Sequence, residues 1–142
     1  MAPVVGDIDH LSTAISHAAA PAFMLGAVAA FLSILISRLE RIIDRNRALR
    51  SVDGAVDPSQ RDAIAAAFAR RMRLLGRAIY FAVLSALLTA ALLIGAFLAA
   101  LAGVSHGRIV AIMFAASLAL LIASLVELTR EIRVHMAHMH LE

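Results

Sequence analysis

The chain has 142 residues, of which 62% are apolar, and a mean hydropathy of +0.88. Soluble globular domains are roughly 45–50% apolar, so a water-soluble core cannot hide this much apolar surface. Thirteen basic residues, all arginine, stand against ten acidic ones for a formal net charge of +3, and the lack of cysteine excludes disulfides and thiolate metal sites.

The apolar residues fall into three blocks free of Asp, Glu, Lys and Arg: Leu11–Ser37, Ala78–Gly107 and Ile109–Val126. A hydrocarbon core about 30 Å thick needs roughly 20 residues of helix at 1.5 Å each, so each block reads as a membrane span. The predicted organisation is an outer segment over 1–10, span one over 11–37, a cytoplasmic segment over 38–77, span two over 78–102, an outer loop over 103–108, span three over 109–129 and a cytoplasmic tail over 130–142. The first span should remain in the mature protein, because Asp7 and Asp9 stand where a signal peptide carries positive charge. Within it, Pro21 removes a backbone hydrogen bond, which makes it a candidate kink or the point where an interfacial helix turns into the membrane.

Ten of the thirteen arginines lie between spans one and two: Arg38, Arg41, Arg45, Arg47, Arg50, Arg61, Arg70, Arg71, Arg73 and Arg77. The positive-inside rule puts this segment and the C-terminus in the cytoplasm and the N-terminus outside. Leu39, Ile42, Asn46 and Leu49 continue span one at coiled-coil spacing, and Ala65, Phe68, Met72, Leu75 and Ile79 lead into span two in the same way. Between them, Gly54 and the Asp57-Pro58 cap mark a turn over 51–58. The fold expected is an all-α membrane protein of three spans, the first two extended into an antiparallel cytoplasmic helical hairpin. Ten arginines against five acids give residues 38–77 a charge of +5, suited to anionic lipid headgroups. The sequence pI of about 11.0 invites a nucleic-acid reading, but topology and lipid already explain arginines beside a span, and no nucleic-acid partner is expected.

Four runs of residues, in two blocks, carry a resemblance to a known family. Ala20-Pro21-Ala22-Phe23-Met24-Leu25 is followed by Arg38-Leu39-Glu40-Arg41-Ile42-Ile43-Asp44-Arg45-Asn46-Arg47-Ala48-Leu49, and later come Arg70-Arg71-Met72-Arg73-Leu74-Leu75-Gly76-Arg77-Ala78-Ile79 and Ser85-Ala86-Leu87-Leu88. Together they resemble the bacterial integral-membrane family catalogued as domain of unknown function 2721. The resemblance implies a bacterial inner (plasma) membrane location and a shared arginine-rich block; it implies no activity. The segment His135–His140 stands outside it, and Leu141-Glu142 is set aside as a vector-type remnant.

Small residues recur every fourth position as Ala22-Gly26-Ala30, Ala91-Gly95-Ala99-Gly103 and Ala111-Ala115-Ala119-Ala123. Such ridges let helices approach closely in lipid, and three spans do not use all of them, which points to a homo-oligomer. Ser33, Ser37, Ser85, Thr89, Ser117 and Ser124 are the hydroxyls of the spans, candidates to line a narrow pore in such an oligomer or else to bond back to a helix. Glu127 reads as the one carboxylate near a span, placed to pair with Arg38, Arg77 or Arg130, with a proton or cation site as the alternative. Arg38, Arg41, Asp44, Arg45, Arg77 and Glu127 form the expected charge network.

No metalloprotease, phosphate-loop, dinucleotide or nucleophile-elbow motif is present, so neither an enzyme nor a cofactor is expected. His135, His138 and His140 are weak metal candidates. The function expected is a homo-oligomeric passive ion channel or permeation pathway, because an anchor alone rarely needs three spans; the alternative is a non-transporting anchored interaction or scaffold protein whose basic hairpin binds anionic lipid or a cytoplasmic partner.

Overall fold

The computed structural model describes residues 4–51, 58–103 and 107–139, all of whose regular structure is helical. The three helices are α1 (Val4–Ser51), α2 (Pro58–Leu101) and α3 (Gly107–Met139). Each contains a stretch long and apolar enough to cross a membrane. Proline opens α2, where its missing N–H costs nothing. After Leu101 the chain leaves α2 through Gly103, whose φ of +66° suits a residue without Cβ. The expected turn residues Gly54 and Asp57 lie outside the described residues.

The helices outrun the spans read from hydropathy. α1 already begins at Val4, inside the segment expected to lie outside the membrane, and continues through Pro21 without leaving the helical state. Likewise α3 extends to Met139, so the expected tail is helical over most of its length. At 1.5 Å per residue, α1 is about 72 Å long and α2 about 66 Å, more than twice a hydrocarbon core.

The contacts fix the packing order. Along α1, Met24 meets Thr89 of α2, whereas Leu35 meets the Leu75, Ala78 and Ala82 stretch, so α1 and α2 are antiparallel. Ser85 meets Ser117 and Arg77 meets Glu127, so α2 and α3 are antiparallel as well. α1 and α3 run parallel and touch through side chains, Met24 to Ser117 and Arg38 to Glu131. The buried seam of α2 is Leu75, Ala78, Ala82, Ser85, Thr89 and Leu92, alternating steps of three and four. That spacing keeps one stripe on a neighbour crossing at a shallow angle. Leu39, Ile42 and Ile79 pack against the same core, but Ala65, expected on the seam, is exposed.

The interior is more polar than the outside. Ser85, Thr89, Ser117, Ser124, Glu127 and Glu131 are buried, whereas large apolar side chains such as Phe23, Leu87, Ile94, Ile112 and Ile122 face outwards. Water would drive such residues inwards; a hydrocarbon solvent leaves them outside and drives polar groups together. The small-residue ridges also face mostly outwards: Ala22, Gly26, Ala30, Ala91, Gly95, Ala111, Ala115 and Ala119 are exposed. They are not what joins these three helices.

Candidate functional site

The hydroxyls of α2 and α3 knit the two helices reciprocally. Ser85 Oγ donates to the Ser117 carbonyl at 2.7 Å, and Ser124 Oγ donates to the Ala78 carbonyl at 2.6 Å. Thr89 Oγ1 bonds back to the Ser85 carbonyl at 2.9 Å and Ser117 Oγ to the Phe114 carbonyl at 2.8 Å. The Met24 sulfur lies 3.9 and 3.8 Å from these two hydroxyls, which brings α1 into the group. Because the acceptors of Ser85 and Ser124 are backbone carbonyls on the facing helix, those two bonds require close backbone approach, and the small serine side chains permit it.

The six hydroxyls expected to line a pore therefore do not share a surface. Four are consumed inside one three-helix unit, where Ser85, Thr89, Ser117 and Ser124 have no exposed area. Ser33 and Ser37 sit apart, exposed on the outer face of α1. Packing decides this: α2 and α3 turn their polar stripes towards each other, while α1 turns an apolar stripe inwards.

Beyond the hydroxyls, towards the arginine-bearing end, lies a charge cluster that ties all three helices. Arg38 Nη1 of α1 meets Glu131 Oε2 of α3 at 2.8 Å. Glu127 Oε1 is 3.4 Å from Arg77 Nη2 of α2 and 3.5 Å from Arg130 Nη1. Both carboxylates are deeply buried, at 5% exposure for Glu127 and 6% for Glu131. A buried carboxylate is costly unless paired and hydrogen-bonded, so the guanidiniums hold the helices in register at this level. Glu127 Oε2 and Arg71 Nε are buried without a hydrogen-bond partner among the described residues.

This geometry corrects the expected network in two ways. Glu127 is not alone, because Glu131 lies one turn further on the same face and is the stronger partner; Arg38 pairs with it rather than with Glu127. Arg41 and Arg45 stay outside the cluster, exposed, and Asp44 makes a loose 3.9 Å contact with Arg47 in solvent. A signal for Glu131 was present in the spacing. It falls seven residues after Ser124 and fourteen after Ser117, which places all three on one stripe of α3. Hydropathy hid it, since the apolar block ends at Val126.

Two open recesses flank the cluster on the outer surface. One, of about 510 Å³, is lined by Arg70, Arg73, Leu74 and Arg77 of α2. The other, of about 270 Å³, is lined by Ser33, Ile34, Ser37, Arg38 and Arg41 of α1. The side chains of His135 and His138, and the whole of His140, lie outside what the structure describes. Among the described residues no group of three metal-ligating side chains converges.

Fold and site together define a membrane-spanning helical protein, apolar outside, with a hydroxyl-lined helix contact and a buried ion-pair cluster at one end. The chain matches the family described as protein of unknown function (DUF2721) over residues 18–141, most of its length, and belongs to it. The match takes in His135–His140 and Leu141, so the C-terminal segment expected to stand outside the family belongs to it. No curated protein matches the chain. No solved structure matches it either.

Proposed function

We propose that the protein is a non-transporting anchor of the bacterial inner membrane, its N-terminus outside and its arginine-rich helix ends in the cytoplasm, where they hold anionic lipid headgroups. The observation that carries this reading is the outward face of α2. Arg70, Arg73 and Arg77 recur there at helical spacing, exposed, around a recess that no carboxylate lines. Below them on the same face come Tyr80, 64% exposed, and then the apolar Leu84 and Leu87. Cations, then an amphipathic ring, then apolar side chains is the order a helix meets on passing from headgroups into hydrocarbon. Each arginine near an anionic surface contributes about 1 kcal/mol, so three on one face favour anionic over neutral lipid by roughly a hundredfold at most. Arg41, Arg45 and Arg47 add exposed charge on α1.

The test is the lipid that stays with the protein purified from micelles containing equal phosphatidylglycerol and phosphatidylcholine. Phosphatidylglycerol should be enriched several-fold, less so as salt rises, and R70Q/R73Q should remove most of the enrichment. Equal retention of both lipids by the native chain would refute the proposal.

Self-association belongs to the same proposal, since the outward small-residue ridges of α2 and α3 offer a second copy a close approach. A permeation pathway between copies is the competing reading, favoured by the exposure of Ser33 and Ser37, which could line it. No catalysis is assigned to the chain.

A further inference from the structure

Ser33 and Ser37 lie one turn apart on the exposed face of α1, and neither hydroxyl has a hydrogen-bond partner among the described residues. They differ in this from Ser85, Thr89, Ser117 and Ser124, each of which donates a bond. One turn beyond Ser37 comes Arg41, exposed and without an ion pair among the described residues. Between them Arg38 turns Nη1 to Glu131 but leaves its side chain 40% exposed on the rim of the recess. In the other direction Ala30 and Gly26, both exposed, continue the face with little side-chain bulk, and a Cβ at Gly26 would meet nothing within 4 Å.

We infer that this face holds one membrane glycerophospholipid. Its phosphodiester accepts from the Arg41 guanidinium and the Ser37 hydroxyl. An ester carbonyl, about one turn deeper in the bilayer, accepts from Ser33, and an acyl chain lies along Ala30 and Gly26. Both hydroxyls then find the acceptors that hydrocarbon cannot supply. A second copy is the poorer occupant, because two-fold packing of this face on itself would bring Arg38 and Arg41 against the same charges of its mate. The inference deepens the lipid-binding proposal and rests on it for the class of ligand. The two fail separately, since R70Q/R73Q alters α2 and leaves this recess intact.

The test is native mass spectrometry of the delipidated full chain titrated with phosphatidylglycerol, with inorganic phosphate as the second probe. S33A/S37A and R41Q should each weaken the tightest lipid-binding step about tenfold, while S33T/S37T, which keeps the hydroxyls, should retain it. Alanine favours the helix, so circular dichroism should be unchanged in S33A/S37A. Unaltered lipid binding in S33A/S37A would overturn the site. So would phosphate binding as tightly as lipid, or a shift of S33A/S37A from oligomer to monomer, which would give the face to a second copy.

Discussion

Glu131 lies beyond the last apolar block of the sequence, yet it is one of the buried polar groups among the described residues. Desolvating a carboxylate costs several kcal/mol, and the 2.8 Å contact with Arg38 offsets that cost with a charge-assisted bond. Arg38 remains partly exposed, so the loss on breaking the pair should sit below that of a fully buried one. Glu131→Gln is expected to lower stability in detergent by about 1–3 kcal/mol, and Arg38→Gln by a similar amount. Combined, the two should cost less than their sum; strict additivity in a thermal-unfolding cycle would show that the contact contributes nothing. Glu127 faces guanidiniums at 3.4 and 3.5 Å that are more than half exposed, and each of those pairs should contribute under about 1 kcal/mol. The sequence made Glu127 visible because it directly follows a long apolar block. The spacing from Ser117 and Ser124 puts Glu131 on the same stripe of α3, but its burial beyond that block depends on α1 delivering Arg38 to the same level, which that spacing does not state.

At the scale of the helices, α2 is the element against which the other two are organised. Its seam of alternating threes and fours meets α1 through Leu75, Ala78 and Ala82, and α3 through Ser85 and the Ala78 carbonyl. Interhelical hydrogen bonds in a membrane average about 0.6 kcal/mol and reach about 1.7, so Ser85→Ala and Ser124→Ala should each destabilise within that range. Ser33→Ala, on the outer face, should leave stability unchanged; an equal loss at all three positions, read by unfolding in detergent, would contradict the distinction. Three spans and the loop after α2 were legible because long apolar blocks and their breaks are local properties. The choice of packing face was not. A ridge of small residues stepping by four advances about 40° around the helix at each step and spirals off a contact line, whereas steps of three and four stay on it. Ala22-Gly26-Ala30 and Ala111-Ala115-Ala119 thus stood out in the sequence and lie outside the bundle.

For the whole molecule, the consequence is a three-helix unit whose polar groups are directed at one another. Serine hydroxyls bond to facing carbonyls, carboxylates meet guanidiniums, and exposed arginines such as Arg41, Arg45, Arg70, Arg73 and Arg77 crowd the outer faces of α1 and α2 at one end. The candidate pore residues were readable as polar positions, but not their division between an interior contact and an outer face, which requires all three helices at once. In the reading proposed here, function lies on the surface that meets lipid and not along a path through the protein. Ion flux through liposomes reconstituted with the full chain tests this most directly. Flux should equal that of protein-free liposomes, with S33A/S37A indistinguishable from the native chain. Flux that rises with the amount of protein and falls in S33A/S37A would contradict it and restore a pathway between copies.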